Sequence, residues 1–226
     1  MRPQPLTRPG PTPSTEHLSG EHLSGRVDTS GPATAEAAGG AAGSPLIMGL
    51  PAFSIACFAL GLVLIGFVPA AVLGAVVPVT FFVAGLFQFA VFVWAAALGQ
   101  NIVANINGVF SGFWLSLSVL LMGLQHNWFG VPAANVSQAE ELFFVVWAAV
   151  IFFLWFATIR LPLIYPVLVR WVVVGLMLAA ISFATGNQTV LLAAGADILL
   201  FAFLGFWAYL NLGQTVIGRP ARPPIG

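Results

Sequence analysis

Six long apolar runs follow one another along the chain, at about residues 46–68, 71–98, 109–124, 142–159, 163–184 and 190–212. Each is apolar throughout and close to the ~20 residues that a helix needs to cross a bilayer. A barrel strand would instead alternate over roughly ten residues. The breaks carry polar residues, Pro or Gly: Pro69, Gly99-Gln100-Asn101, the stretch from Gln125 to Glu141, Arg160-Leu161-Pro162, and Gly186-Asn187-Gln188. The pattern predicts an all-α polytopic membrane protein, a six-transmembrane-helix bundle over residues 45–226. Residues 1–44 differ sharply, being rich in Pro, Gly, Ser, Thr and Ala. Such a composition buries too little apolar surface to offset ordering, so this segment reads as a disordered cytoplasmic tail. Its tandem repeat, Glu16-His17-Leu18-Ser19-Gly20 and Glu21-His22-Leu23-Ser24-Gly25, reads as a slipped duplication or a partner-binding motif. The first apolar run starts too late for a cleavable signal peptide.

Composition sharpens this reading. Hydrophobic residues make up 59% and charged residues 6%, whereas soluble domains carry about 25% charged residues. The chain has no Lys and a formal net charge of zero, so the basic patch that nucleic acid requires is missing. Cys57 is the only cysteine, and His17 and His22 lie in the polar tail far from His126, which predicts neither a disulfide nor a metal site. No Gly-rich nucleotide loop, nucleophile elbow or His-rich helix occurs, so neither enzymatic chemistry nor a cofactor is expected. Outside the tail the basic residues are Arg160, Arg170, Arg219 and Arg222. With six spans, all lie near one face, together with the N-terminus, while Glu140 and Glu141 lie at the other. The positive-inside rule then puts both termini in the cytoplasm, with Arg170 snorkelling from within the fifth run.

Few polar residues interrupt the spans. Asp197 is the one acid inside an apolar run, and an intramembrane acid is a functional candidate by default; a solvated position near the outer face is the bland alternative. Gln88 stands alone in the second run, and Gln100, Asn101, Asn105 and Asn107 make the stretch before the third the richest in amides. These groups must find interhelical partners or line a water-filled path. Gly108 with Gly112, and Ala52 with Ala56, are small-residue pairs suited to close helix approach.

The membrane part resembles the acetate uptake transporter family, the bacterial succinate–acetate permease type. Ser44-Pro45-Leu46-Ile47-Met48-Gly49-Leu50 matches its opening signature in the first Pro, the Gly and the last Leu. Gly85-Leu86-Phe87-Gln88, Gly99-Gln100-Asn101-Ile102-Val103 and Phe110-Ser111-Gly112-Phe113-Trp114-Leu115 follow in the family's order, with Gln88 and Trp114 spaced without a gap. Trp147 with Thr158, Gly186-Asn187, and Gly218-Arg219 with a Pro-Ile-Gly ending extend the match over about residues 44–226. The chain departs from the family at Gln100-Asn101-Ile102-Val103, at Ala95 in place of an acid, and at Phe110 in place of a tyrosine, so it reads as a divergent member.

The resemblance implies a hexamer in which each protomer has its own central pore. It also implies a hydrophobic constriction of Phe53, Phe110 and Leu176, where an apolar ring blocks hydrated ions and passes a small desolvated acid. Ordinary packing is the alternative role for these three side chains. The expected function is a transporter or channel for a small monocarboxylate such as acetate, with succinate a second candidate and proton linkage open, in the plasma (inner) membrane. Gln88, Gln100, Asn101, Asn105, Asn107 and Asp197 are its polar path candidates. Two alternatives stand beside it: a channel for a small neutral solute (urea, an amide or ammonia), and a non-transporting structural or sensing membrane protein.

Overall fold

The structure is a computed structural model, and it describes residues 43–160 and 163–219. The expectations for the tail, its repeat and the Pro-Ile-Gly ending lie outside the described residues. Six stretches are long and apolar enough to cross a membrane. Helix α1 runs Leu46–Leu64. The second span joins a 3-10 segment, Ala70–Val76, a π-helical segment, Val79–Leu86, and helix α2, Phe87–Ala97. Helices α3 (Asn101–Gln125), α4 (Val136–Thr158), α5 (Ile164–Thr185) and α6 (Gln188–Val216) complete the bundle. No strand occurs among the described residues.

Local chemistry sets the turns. Gly99 takes φ 72° after α2, where its N–H donates to the Ala96 carbonyl at 3.0 Å and that of Gln100 to Ala95 at 2.9 Å. That pair of bonds is a Schellman closure, which favours glycine at the left-handed position. Gly186 closes α5 with φ 66°, and the Asn187 side chain then accepts from the Thr189 N–H at 2.9 Å to cap α6. In the second span Pro78 has no N–H to donate and crowds the carbonyl four residues back. The chain changes helix type at that point.

Helix ends differ from the apolar runs. α3 begins at Asn101, eight residues before the third run, and α4 begins at Val136, which brings Glu140 and Glu141 inside a helix. Backbone hydrogen bonds continue through amides and carboxylates wherever these side chains find space, so hydropathy alone marks the ends late.

α1 packs most extensively on α6, α4 on α5, and α2 on α3. Ser111 Oγ donates to the Gly85 carbonyl at 2.9 Å, and the Thr80 and Ser118 hydroxyls meet at 2.7 Å, fastening the π-helical segment to α3. Ala52 and Ala56 are buried as expected. Gly108 and Gly112 lie against the side chains of Phe92 and Trp147, which fill the space opened there. Outward-facing Phe82, Phe153 and Leu210 remain exposed, as suits a surface solvated by lipid. The chain is an integral membrane protein.

Candidate functional site

Two cavities lie along the interior of the bundle. One, of about 240 Å³, is bordered by the first turns of α1, α3 and α5, the Gln88 region of the second span and the last turns of α6. The helix ends at that face are the ones nearest the chain termini, so we call it the near chamber. The other, of about 80 Å³, is bordered by the opposite ends of the same helices together with Glu140 of α4. We call it the far chamber.

Four side chains border both: Phe53 of α1, Phe110 of α3, Val172 of α5 and Phe201 of α6. The Phe53 ring meets Phe110 edge to face at 4.9 Å between centroids and Phe201 at 5.1 Å. Each contact is in the range where aromatic pairs attract. The structure thus brings Phe53 and Phe110 together between the two chambers. Leu176 lies one turn beyond Val172 on α5, in the wall of the far chamber only. Sequence reasoning missed Phe201 and Val172. Phe201 carried a signal, since it falls four residues after Asp197 and so on the same face of α6.

The polar candidates separate into two groups. Gln88 and Asn107 border the near chamber. Gln88 is 1% exposed, and neither its Nε2 nor its Oε1 has a hydrogen-bond partner. The π-helical turns just before it change its angular position relative to an unbroken α-helix. Asn107 Nδ2 donates to the Val103 carbonyl at 2.8 Å, and its Oδ1 lies against Gly49. Ser54, also in this wall, donates to the Leu50 carbonyl at 2.8 Å, and the bare backbone of Gly205 leaves room for its hydroxyl. Gln100, Asn101 and Asn105 border neither chamber. Asn101 and Asn105 lie one turn apart on an exposed face of α3, roughly opposite Asn107.

Asp197 borders the far chamber, half-buried. Its carboxyl group packs on Gly175, and the Trp171 indole N–H, one turn earlier on α5, faces it without reaching hydrogen-bond geometry. Its neighbours Gly175 and Trp171 are therefore on α5. Glu140 enters the same wall from α4, and Trp114 borders it with a buried, unpartnered indole N–H. No Arg, Lys or His borders either chamber among the described residues, and these residues hold no cluster of metal-ligating side chains.

The pattern that defines the GPR1/FUN34/yaaH family matches residues 28–215. The chain belongs to the GPR1/FUN34/yaaH family. Membership bears out the resemblance read from the order and spacing of the sequence motifs. Among solved structures, one described as the structure of the bacterial acetate channel SatP superposes with a TM-score of 0.70. The match covers 81% of this chain and 99% of that one at 21% identity, which establishes a shared fold. No curated protein matches the chain. For this family member, the two chambers and the aromatic contacts between them lie within the fold shared with that structure.

Proposed function

We propose that the chain passes a small monocarboxylate such as acetate across the plasma membrane through the near chamber, the aromatic ring and the far chamber. The observation that carries this reading is the ring of Phe53, Phe110, Val172 and Phe201, which separates two cavities within a single protomer. Its walls are apolar, so water bridging the two chambers is disfavoured and a hydrated ion meets a desolvation barrier. A small acid that sheds its water and presents a methyl group to the ring meets a lower one. The fold shared with an acetate channel supports the same substrate class. Leu176 extends the apolar lining on the far side. The near chamber faces the cytoplasm, because the described Arg160, Arg170 and Arg219 belong to the face of the chain termini. Assembly into a hexameric ring, one path per protomer, follows the family resemblance.

The absence of a basic residue from both walls among the described residues favours one second reading, a channel for a small neutral solute such as urea or an amide. Uptake of labelled acetate, succinate and urea into proteoliposomes holding this protein alone separates them, with protein-free vesicles subtracted. The monocarboxylate reading expects protein-dependent acetate uptake well above that of urea. Urea uptake without acetate uptake selects the second reading, and uptake of none overturns both.

A further inference from the structure

The near chamber offers a ligand almost nothing polar. Gln88 Nε2 and Oε1 are both buried and present nothing to the cavity. Ser54 Oγ donates to the Leu50 carbonyl, and Asn107 Nδ2 to the Val103 carbonyl, each at 2.8 Å. Asn107 Oδ1 packs against Gly49. The rest of the wall is hydrocarbon, mainly from Leu46, Leu50, Val103, Ile106, Leu168 and Val169. No Arg, Lys, His, Asp or Glu borders this chamber among the described residues. Such a wall gains by covering apolar surface and has no partner for a buried charge.

Volume decides how much surface it can cover. A dry, apolar protein cavity of about 150 Å³ holds benzene, with its six carbons. In proportion, the near chamber, at about 240 Å³, has room for roughly nine or ten non-hydrogen atoms. The far chamber, at about 80 Å³, has room for roughly three or four, which is the size of acetate. A longer hydrocarbon tail therefore fits the first chamber and not the second.

Resting on the monocarboxylate reading, we propose that the near chamber binds the hydrocarbon tail of a medium-chain monocarboxylic acid, of about six to ten carbons, which lodges there and blocks acetate. The tail points toward the ring of Phe53, Phe110, Val172 and Phe201. The carboxylate stays in water at the end nearest the chain termini, beside Leu46 in the first turn of α1. A head group left in water loses no hydration, so it needs no cation in the wall.

The test measures acetate isotope exchange in proteoliposomes of the full chain, with equal pH and equal inhibitor on both sides and protein-free exchange subtracted. Butyrate, hexanoate, octanoate, decanoate and dodecanoate are added in turn. The concentration for half-inhibition falls about fourfold per added methylene up to octanoate, as burial of each CH₂ predicts. It levels off by dodecanoate, when the chamber is full. Partition into the bilayer keeps rising along the same series, so a fall that continues unchanged through dodecanoate assigns the effect to the bilayer and overturns the proposal. Adipate, as long as hexanoate but ionised at both ends, inhibits at least about tenfold more weakly, because its second carboxylate would be buried. Ala208→Phe fills part of the chamber from α6, one turn from Gly205. Referred to the variant's own acetate exchange, hexanoate inhibits it at least about tenfold more weakly than the wild type. Hexanoate without effect on the wild type overturns the proposal, as does adipate of equal potency or unchanged inhibition in Ala208→Phe. If that variant does not fold, the chain-length series and adipate decide alone. Folded wild-type protein with no acetate exchange overturns the monocarboxylate reading itself.

Discussion

Asp197 occupies space that Gly175 leaves open. The carboxyl group packs where a Cβ on residue 175 would stand, and the two residues come from adjacent helices. Gly175→Ala therefore forces one of them to move, and overpacking of this kind costs about 1–3 kcal/mol. The double variant Gly175→Ala with Asp197→Ala removes the clash and recovers most of that loss. Thermal unfolding of the three variants in detergent checks it; a double variant no more stable than the sum of its singles dismisses the contact. Sequence alone singled out Asp197, because a lone acid in an apolar run is costly. It did not pair that acid with Trp171 or Gly175, since nothing along the chain says which face of α5 meets which face of α6. Gln88 was visible for a similar reason, as the one amide in its run. That both of its polar atoms lack partners depends on the neighbouring helices and was not legible.

The six spans were legible because a bilayer tolerates no long polar stretch within it, and all six are present. Their ends were less so. The amides at Asn101 and Asn105 read as a break, yet they continue α3 because its exposed face accommodates them. A run of four polar candidates also divides by angle: at about 100° per residue, Asn107 turns inward where Asn105 turns out. The change of helix type before Gln88 had a signal in Pro78, which ends one regular segment. The π-helical segment beyond it had none, because it depends on Ser111 and Thr80–Ser118 contacts with α3. Phe53 and Phe110 were placed by motif order, and the structure brings them to 4.9 Å. Val172 was passed over for Leu176, one turn away on the same face of α5.

At the scale of the whole molecule, an even number of spans puts both ends of the described chain on one side, and the positive-inside rule is our ground for proposing that this side is the cytoplasm. In a Cys57→Ala background, single cysteines at Ser137 and Asn187 then react with an impermeant thiol reagent outside intact cells, and those at Ser19 and Ala221 do not. The reverse pattern turns the near chamber to the outside, and labelling at one terminus only breaks the six-span count. If the chambers form one path closed by the aromatic ring, size selectivity reports that closure. The measurement is uptake of acetate and of progressively larger monocarboxylates by Phe53→Ala and Phe110→Ala, normalised to folded protein. If the ring is the gate, trimming it lowers the apolar barrier, so both variants admit acids that the wild type excludes and keep or raise acetate flux. If these rings only fill the core, each change costs about 3–5 kcal/mol of packing, and normalised flux falls in both variants with no larger solute admitted, which contradicts the account.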